Sequence, residues 1–527
     1  MTDEMQLAGA ERFDDVIIGA GHNGLVAACY LALAGRDVCI VEAANIVGGA
    51  AISPQVFTGV DARLSKYSYL VSLLPDAIRT DLGVALPLVE RSTASYTPDP
   101  QDPARGLLVP SVRSQAFTDH LSDFTGSTTE AGNWQAFQEQ LLAMAQRVFP
   151  TLTKPLMGAS AMQDLVGDAA TWSDFFEQPL GRVLERTFSN DVVRGVVFTD
   201  ALIGTYSHAH DASLRQNACF LYHVIGNGTG DWDLPVGGMG ALTQALARRA
   251  EELGVQIHLQ ARAVEVISDG STATVVVESI AGRRSLRCEN VLANCAPAVL
   301  ARLQGRQPAP TLPGAQIKVN LLLERLPELR DGSVDPQQAF SGTFHVNEGY
   351  TQLNAAFAAG ERGELPNPVP CETYCHTLGD RSILGPTLRD SAAQTLTVFA
   401  LNTPHALFAD GTIDQAAAVQ AVLASINSVL AEPIEPLLML DSDGRPCIDV
   451  STTVDLEYSL GIPGGNIFHT PLDMPFAQSV AEIGSWGVET DLANVFICGA
   501  GARRGGGVSG IPGHNAAQAV LRGNSAH

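Results

Sequence analysis

The chain has 527 residues, too many for one ordinary hydrophobic core, so at least two interleaved domains are expected. Its 32 Lys and Arg against 56 Asp and Glu give a net charge of −24, which argues against nucleic acid as a partner and against a polybasic membrane patch. Apolar residues make up 46% and charged residues 17%, the balance of a soluble globular protein in which only a local apolar patch is left to touch lipid peripherally.

The acidic opening MTDEMQLAGAERF has neither a charged-then-apolar signal pattern nor an Arg-rich presequence, and residues 1–12 read as a flexible leader. From Asp14 to Ala51 the pattern alternates as strand (VIIGAG), helix (LVAACYLALAG) and strand (DVCIVEA), a parallel βαβ unit with a right-handed crossover. Gly19, Gly21 and Gly24 stand at GxGxxG spacing between the first strand and the helix, with Ala20, His22 and Asn23 completing the turn. Glycine permits the bend and a close approach of backbone to a pyrophosphate, while the free N–H groups and positive dipole of the helix end face the phosphates. Glu42, eighteen residues past Gly24, ends the second strand where a carboxylate accepts hydrogen bonds from adenosine ribose hydroxyls and repels a 2′-phosphate, disfavouring NADP. The doublet Gly48-Gly49 follows six residues later; a simple NAD unit has no need of it, whereas FAD requires the chain to turn back across its pyrophosphate and ribityl.

Residues 60 to 235 carry helical patterns at Trp134 to Val148, Thr171 to Thr187 and Asp191 to Ile203, separated by Pro- and Gly-containing turns. Groups suited to proton work are Tyr206, His208 and His210 in GTYSHAHD, and Tyr222 and His223 in FLYHVIGNGTGDW. The HxH pair offers half a metal site with no third ligand, so no metal is expected. His223 precedes the turn into the next helix, which brings it toward the cofactor domain; a packed, hydrogen-bonded imidazole is its structural alternative.

At Leu234 a Gly-rich turn, an amphipathic helix and a strand resume the nucleotide domain, followed by short strands in ARAVEVISDGSTATVVVE and RRSLRCENVLANCA. From Pro308 to Ser451 come strand-like IKVNLLLE and TLTVFALN and a helix from Ile413 to Leu430. Lys318, within the first of these strands, is placed either as a buried cation facing a flavin or as an edge lysine in water. The last block, NVFICGAGARRGGGVSGIPGHNAAQAVLRG, is again strand, glycine-rich turn and helix; its helix N-terminus, aided by Arg503 and Arg504, suits a site of developing negative charge. Nine cysteines are scattered singly with no CxxC, which points to reduced thiols and a cytoplasmic location. The uncharged stretch Ser391 to Ala409 is too broken by polar residues and Pro404 to span a membrane.

Together GAGHNGLVAACYLALAG with Glu42 and VGGAA, SYLVSLLPDAIRTDLG, VGGMGALTQALA, GIPGGNIFH and CGAGARRGGGVSGIPGHNAA resemble the phytoene-desaturase-like flavoproteins. The resemblance runs from about residue 14 to 523 and is nearest the branch of the pyridine nucleotide-disulfide oxidoreductase domain-containing proteins, with O-type carotenoid ketolases also similar. It implies an α/β fold of amine-oxidase type: a Rossmann-type FAD-binding domain (13–60, 234–307 and 452–527) interleaved with an α+β substrate-binding domain (61–233 and 308–451). By position it implies FAD phosphates on Gly19, Ala20, Gly21, His22, Asn23 and Gly24 and the ribose on Glu42 and Ala43. The pyrophosphate or ribityl falls beside Gly48, Gly49, Ala50 and Ala51, adenine at the Val264 backbone, and the flavin ring near Gly499, Gly501, Val508, Ser509 and Gly510. Ala500-Gly501 stands where many amine oxidases carry an acid for the ribityl, which weakens that assignment, and the CxxxxC redox pair of the disulfide reductases is missing.

The resulting expectation is an FAD-dependent dehydrogenase or desaturase that passes a hydride from a hydrophobic or extended small molecule to flavin N5, with His223, Lys318 and Tyr222 as candidate catalytic groups. The alternatives are a flavin amine or alcohol oxidase and a non-catalytic, FAD-stabilised interaction protein. Substrate identity, electron acceptor and oligomeric state carry no sequence signal.

Overall fold

The computed structural model describes residues 11–112 and 114–524, arranged around two seven-stranded sheets. The leader expected over 1–12 falls outside the described residues except for its last two, which belong to the first strand, Glu11–Ile18. That strand is the middle one of five parallel strands in the order Gln256–His258, Val38–Val41, Glu11–Ile18, Gly282–Ala293, Val495–Ile497. Val16, Ile17, Cys39, Ile40, Val291 and Leu292 are all fully buried, as the uninterrupted apolar runs of strands covered on both faces require. Gly282–Ala293 serves two layers: Val291–Ala293 pairs with Val495–Ile497, while Gly282–Cys288 pairs antiparallel with Ala273–Ser279, which leads on to Arg262–Ser268.

Helix His22–Leu33 packs between helices Met239–Glu252 and Ile511–Asn524. It starts at His22 rather than Leu25 because Gly21, with extended backbone, is its N-cap. The crossing with the C-terminal helix is so close that a Cβ on Gly513 would lie 2.0 Å from the Asn23 carbonyl oxygen. Only a glycine allows the two helix N-termini to meet there.

The second sheet has the order Ile448–Ser451, Ile317–Leu323, Gln394–Ala400, Cys371–Tyr374, Thr343–Val346, Thr93–Asp99, Asp102–Pro110, antiparallel except where Thr343–Val346 runs parallel to Thr93–Asp99. One face is an apolar core in which Val319, Leu321, Phe344, Leu396 and Val398 pack with Val422 and Ile426 of helix Gln415–Asn427. The strand period of two sends the alternate residues to the other face. Register places Lys318 opposite Phe399, Phe399 opposite Glu372, and Glu372 opposite His345, one transverse row over four strands.

Above that row sits a helical layer with its own aromatic core, built on Phe137, Phe175, Phe188 and Phe220. Its longest helix, Thr128–Val148, begins six residues before the Trp134 boundary that periodicity suggests, because Ser127 caps it by accepting the Glu130 N–H at 3.3 Å. The segment read as one helix over Thr171 to Thr187 is divided: Ala169–Trp172 passes through a wider turn at Ser173–Glu177, and Pro179 opens a new helix, Leu180–Thr187. Among the described residues no helix is long and apolar enough to cross a membrane.

Candidate functional site

A single cavity of about 1360 Å³ runs from the glycine turn of the first sheet to the polar row of the second. At the first end its wall includes Gly19, Gly21, His22, Asn23, Glu42 and Ala43, followed by Gly49 and Ala50. The remaining predicted residues of this turn act behind the wall. Ala20 gives its N–H to Glu42 Oε2 at 2.7 Å, and Ala44 gives its N–H to Oε1 at 2.8 Å. Gly48 donates to the Ala20 carbonyl at 2.9 Å, and Ala51 accepts the Thr243 hydroxyl at 2.8 Å. Asn294, just past strand Gly282–Ala293, donates to the Gly19 carbonyl at 3.0 Å and holds the turn open. A Cβ on Gly24 would meet the Gly19 carbonyl oxygen at 2.3 Å, so the helix can start beside the strand only with glycine there.

Two sets of predicted residues in this half lie outside the cavity wall. Val264 occupies the irregular register between Ala263 and Glu265, and it is Arg262 and Ala263 that reach the cavity. In the last block the wall is made by Ala500, Gly507 and Val508; Gly499 lies against the Asn294 backbone and Gly501 against Pro297, each too close for a Cβ. Ser509 and Gly510 form the entrance to the last helix, where the Ser509 hydroxyl accepts the Ile511 N–H at 3.3 Å. Arg503 is engaged by Asp473 and Glu482, and Arg504 is buried, donating to the carbonyls of Thr151, Lys154 and Trp486. Neither arginine lines the cavity.

The arrangement fits a dinucleotide. Glu42 retains acceptor capacity beyond its two backbone donors, the glycines admit close backbone approach, and His22 Nε2, Asn23 Oδ1 and His469 Nδ1 are buried at the turn without a protein hydrogen bond. Burial holds the His22 and His469 imidazoles down to about 4, so they face a ligand as neutral donors or acceptors.

The candidate catalytic residues all line the same cavity. His223 binds the Cys219 carbonyl through Nδ1 at 2.8 Å, stacks on Trp232, and is lowered to about 4 by burial. The Tyr222 hydroxyl donates to the Gly506 carbonyl, bracing the glycine-rich turn. Lys318 is 2% exposed, its Nζ has no hydrogen-bond partner among the described residues and sits 4.0 Å over the Tyr69 ring, and burial lowers its pKa well below that of an ordinary amine. The other sequence candidates lie elsewhere: Tyr206 donates to Phe357, His208 rests against the Phe357 ring, and His210 pairs with Glu185 at the surface.

Around Lys318 the fold gathers groups that sequence spacing did not announce. Glu372 accepts the Tyr374 hydroxyl at 2.5 Å and the Thr199 hydroxyl at 3.4 Å; burial raises its pKa. Asp200 is pushed up to about 8 by burial and then by Glu372. His345 Nδ1 meets Thr97 Oγ1 at 2.8 Å, and burial holds the ring near 3, as a neutral imidazole. Arg91 spends its guanidinium on the Trp232 carbonyl at 2.7 Å and Thr343 Oγ1 at 3.1 Å. The signal that could have found them is a charged or imidazole side chain inside an otherwise apolar strand: CETY, TFHV and IKVNLLL each hold one.

Beyond this polar chamber the cavity continues as an apolar corridor between Phe117, Trp134, Leu141, Leu142, Val196 and Phe220, reaching the surface at Val112, which is 78% exposed. A cofactor cradle, a polar reaction chamber and an apolar channel in one cavity define the class as a dinucleotide-dependent oxidoreductase of the two-domain amine-oxidase architecture. The chain belongs to the flavin containing amine oxidoreductase family, whose pattern matches residues 24–326. An uncharacterised protein of Mycobacterium tuberculosis is 48% identical over 97% of both chains. The pyridine nucleotide-disulfide oxidoreductase domain-containing protein 2 of Rattus norvegicus is 29% identical over 97% of this chain and 93% of its own length. Among solved structures, a putrescine oxidase superposes with a TM-score of 0.58 at 18% identity, over 97% of this chain and 100% of that one, a likeness of fold.

Proposed function

We propose that the protein is an FAD-dependent dehydrogenase of the desaturase type, acting on a hydrophobic, extended small molecule. The observation that carries this reading is the continuity of the cavity: at about 1360 Å³ it exceeds the roughly 300–1,000 Å³ of a typical single-ligand site, and it joins a dinucleotide cradle to an apolar corridor. Converting a saturated carbon pair to C=C removes a hydride, for which a bound flavin supplies the acceptor, and a proton, for which the protein must supply a base.

Glu42 would hold the adenosine ribose, the Gly19–Asn23 turn the pyrophosphate, and Gly49-Ala50 with Gly507-Val508 the far part of the cofactor. Lys318 is the base the chamber favours, because burial pushes its amine toward the neutral form and, among the described residues, no hydrogen bond competes for its lone pair. Tyr69 lies against it and Tyr374 and Phe399 line the same cavity, as does His223, held by its bond to Cys219. The corridor residues set the substrate's long axis.

A second reading, an amine oxidase, is favoured by one observation: Glu372 and Asp200 at the cavity wall offer acidic partners to an ammonium group. The test for both is anaerobic mixing of the yellow holoprotein with a panel of apolar alkenes, long-chain acyl compounds and amines, watching the flavin absorbance. Bleaching by an apolar member and not by amines supports the dehydrogenase; rapid peroxide formation with amines in air transfers the assignment to the oxidase. Flavin that no member bleaches argues for a protein that keeps FAD only for stability.

A further inference from the structure

The polar row at the floor of the chamber ends in a group that a flavin reaction does not require. His345 and Glu372 face each other across neighbouring strands, and Glu348, two residues beyond the end of strand Thr343–Val346, folds back against them. One ligand atom from each of the three lies within 4.8 Å of the others, and all three residues are buried. We propose that His345, Glu348 and Glu372 bind a divalent first-row metal ion, Zn²⁺ or Mn²⁺, with its remaining coordination position open to the cavity.

Several observations converge on an ion. Both carboxylate oxygens of Glu348 are buried and, among the described residues, make no well-formed hydrogen bond, with only the Thr199 hydroxyl close by. The nearest basic side chains form no hydrogen bond to Glu348: Arg91 donates to Trp232 and Thr343, and the Lys318 amine has no hydrogen-bond partner among the described residues. His345 has its Nδ1 engaged by Thr97 at 2.8 Å, which orients the ring and leaves Nε2 free, and Glu372 is steadied by the Tyr374 hydroxyl at 2.5 Å. Such outer partners characteristically hold metal ligands in place. Ligand atoms around one ion stand roughly 3–4 Å apart, so a set within 4.8 Å closes with side-chain movements of under about 1 Å. The imidazole favours a first-row metal ion over Ca²⁺ or Mg²⁺, which take oxygen ligands.

His345 and Glu372 line the cavity and Glu348 does not, so the open side of the ion faces the chamber. An ion there takes an oxygen atom of whatever occupies the chamber, a hydroxyl, carbonyl or carboxylate, or a water molecule. With the apolar corridor at the other end, the occupant is then an amphipathic molecule with an oxygen-bearing head. This last step rests on the proposed function; metal binding itself does not.

The test uses the flavin-loaded protein, stripped with a chelator, re-equilibrated separately with Zn²⁺ and with Mn²⁺, passed over a desalting column and assayed for metal by mass spectrometry. The expected result is stoichiometric retention of at least one of the two ions, reduced to background in Glu348→Gln while flavin absorbance per chain stays unchanged. If Glu348→Gln loses its flavin, His345→Gln is read in the same way. Wild-type protein that retains neither ion overturns the proposal, as does equal retention by the variant, which marks an adventitious surface site. A substrate ammonium as the true occupant of the acids gives no metal retention together with flavin bleaching by amines. Bleaching by apolar compounds without metal retention sinks the metal site and leaves the dehydrogenase standing.

Discussion

Replacing Glu42 with alanine separates the two roles its carboxylate plays. In the folded chain it accepts the Ala20 N–H at 2.7 Å and the Ala44 N–H at 2.8 Å. Ala44 is exposed, so water replaces the lost partner there at little cost, whereas Ala20 is completely buried and its orphaned donor costs about 1–3 kcal/mol. The cofactor-free variant should therefore melt a few degrees lower than the cofactor-free wild type. The ribose loses a charge-assisted hydrogen bond worth about 1.5–3 kcal/mol, which at tenfold per 1.4 kcal/mol weakens FAD binding roughly 10- to 150-fold. Glu42→Gln should behave almost as badly, because one of the two acceptor positions becomes an NH₂ group facing a backbone N–H. The measurements are flavin absorbance per chain after gel filtration and the dissociation constant on reconstitution with FAD. Undiminished flavin content in Glu42→Ala, with the melting temperature lowered as expected, would confine Glu42 to shaping the turn and refute its role at the ribose.

Lys318→Met should leave flavin content intact and stability equal or higher by about 1–3 kcal/mol, since it removes an unsatisfied buried amine, while slowing flavin reduction by the roughly 10²–10⁴-fold expected of a lost base; an unchanged reduction rate excludes the lysine from the chemistry. Leu142→Trp narrows the corridor without touching the chamber, so flavin reduction by long substrates should fall while short ones are unaffected; equal loss along a chain-length series would show that substrates enter another way. Asp380 accepts the Gly237 N–H at 2.6 Å and meets His376 and Ser382, partners that hold its carboxyl well below the usual carboxylate range. A depressed folded-state value means its contribution is complete above about pH 4 and is lost as pH falls below that. Asp380→Asn should therefore lower the melting temperature at pH 7 and flatten its decline in acid, and a parallel decline would remove Asp380 from the acid sensitivity.

The nucleotide half was legible because its physics is local. Gly19 to Gly24, Glu42 and Gly48-Gly49 lie within one βαβ unit, where Gly24 answers the Gly19 carbonyl, Gly49 the Gly21 backbone, and the acid must sit at the next strand end. Even there the finer placement depended on distant chain: Asn294, which pins the turn from the middle of the sequence, has no spacing that marks it, and Gly499 and Gly501 prove to accommodate Asn294 and Pro297. The two arginines after them look like a positive pole in the sequence, but Asp473 and Glu482 bind one and three backbone carbonyls bind the other.

The chamber was hidden for the opposite reason. Lys318, Glu372 and His345 come from three strands far apart in sequence, and only antiparallel register aligns them in one row; a slip of one residue in any strand would turn its polar member into the apolar core. The HxH pair at His208 and His210, adjacent in sequence, ends apart from the cavity, while three groups without any spacing motif converge. A buried charge in a strand therefore carries more information than a motif of ligands on a loop, because burying it has a cost that the fold must offset with a partner. Lys318 shows this already in the string IKVNLLL, where a single ammonium stands among six residues that fill the interior. The same test applied to CETY and TFHV, where an acid and an imidazole interrupt apolar strands, identifies the other end of the row.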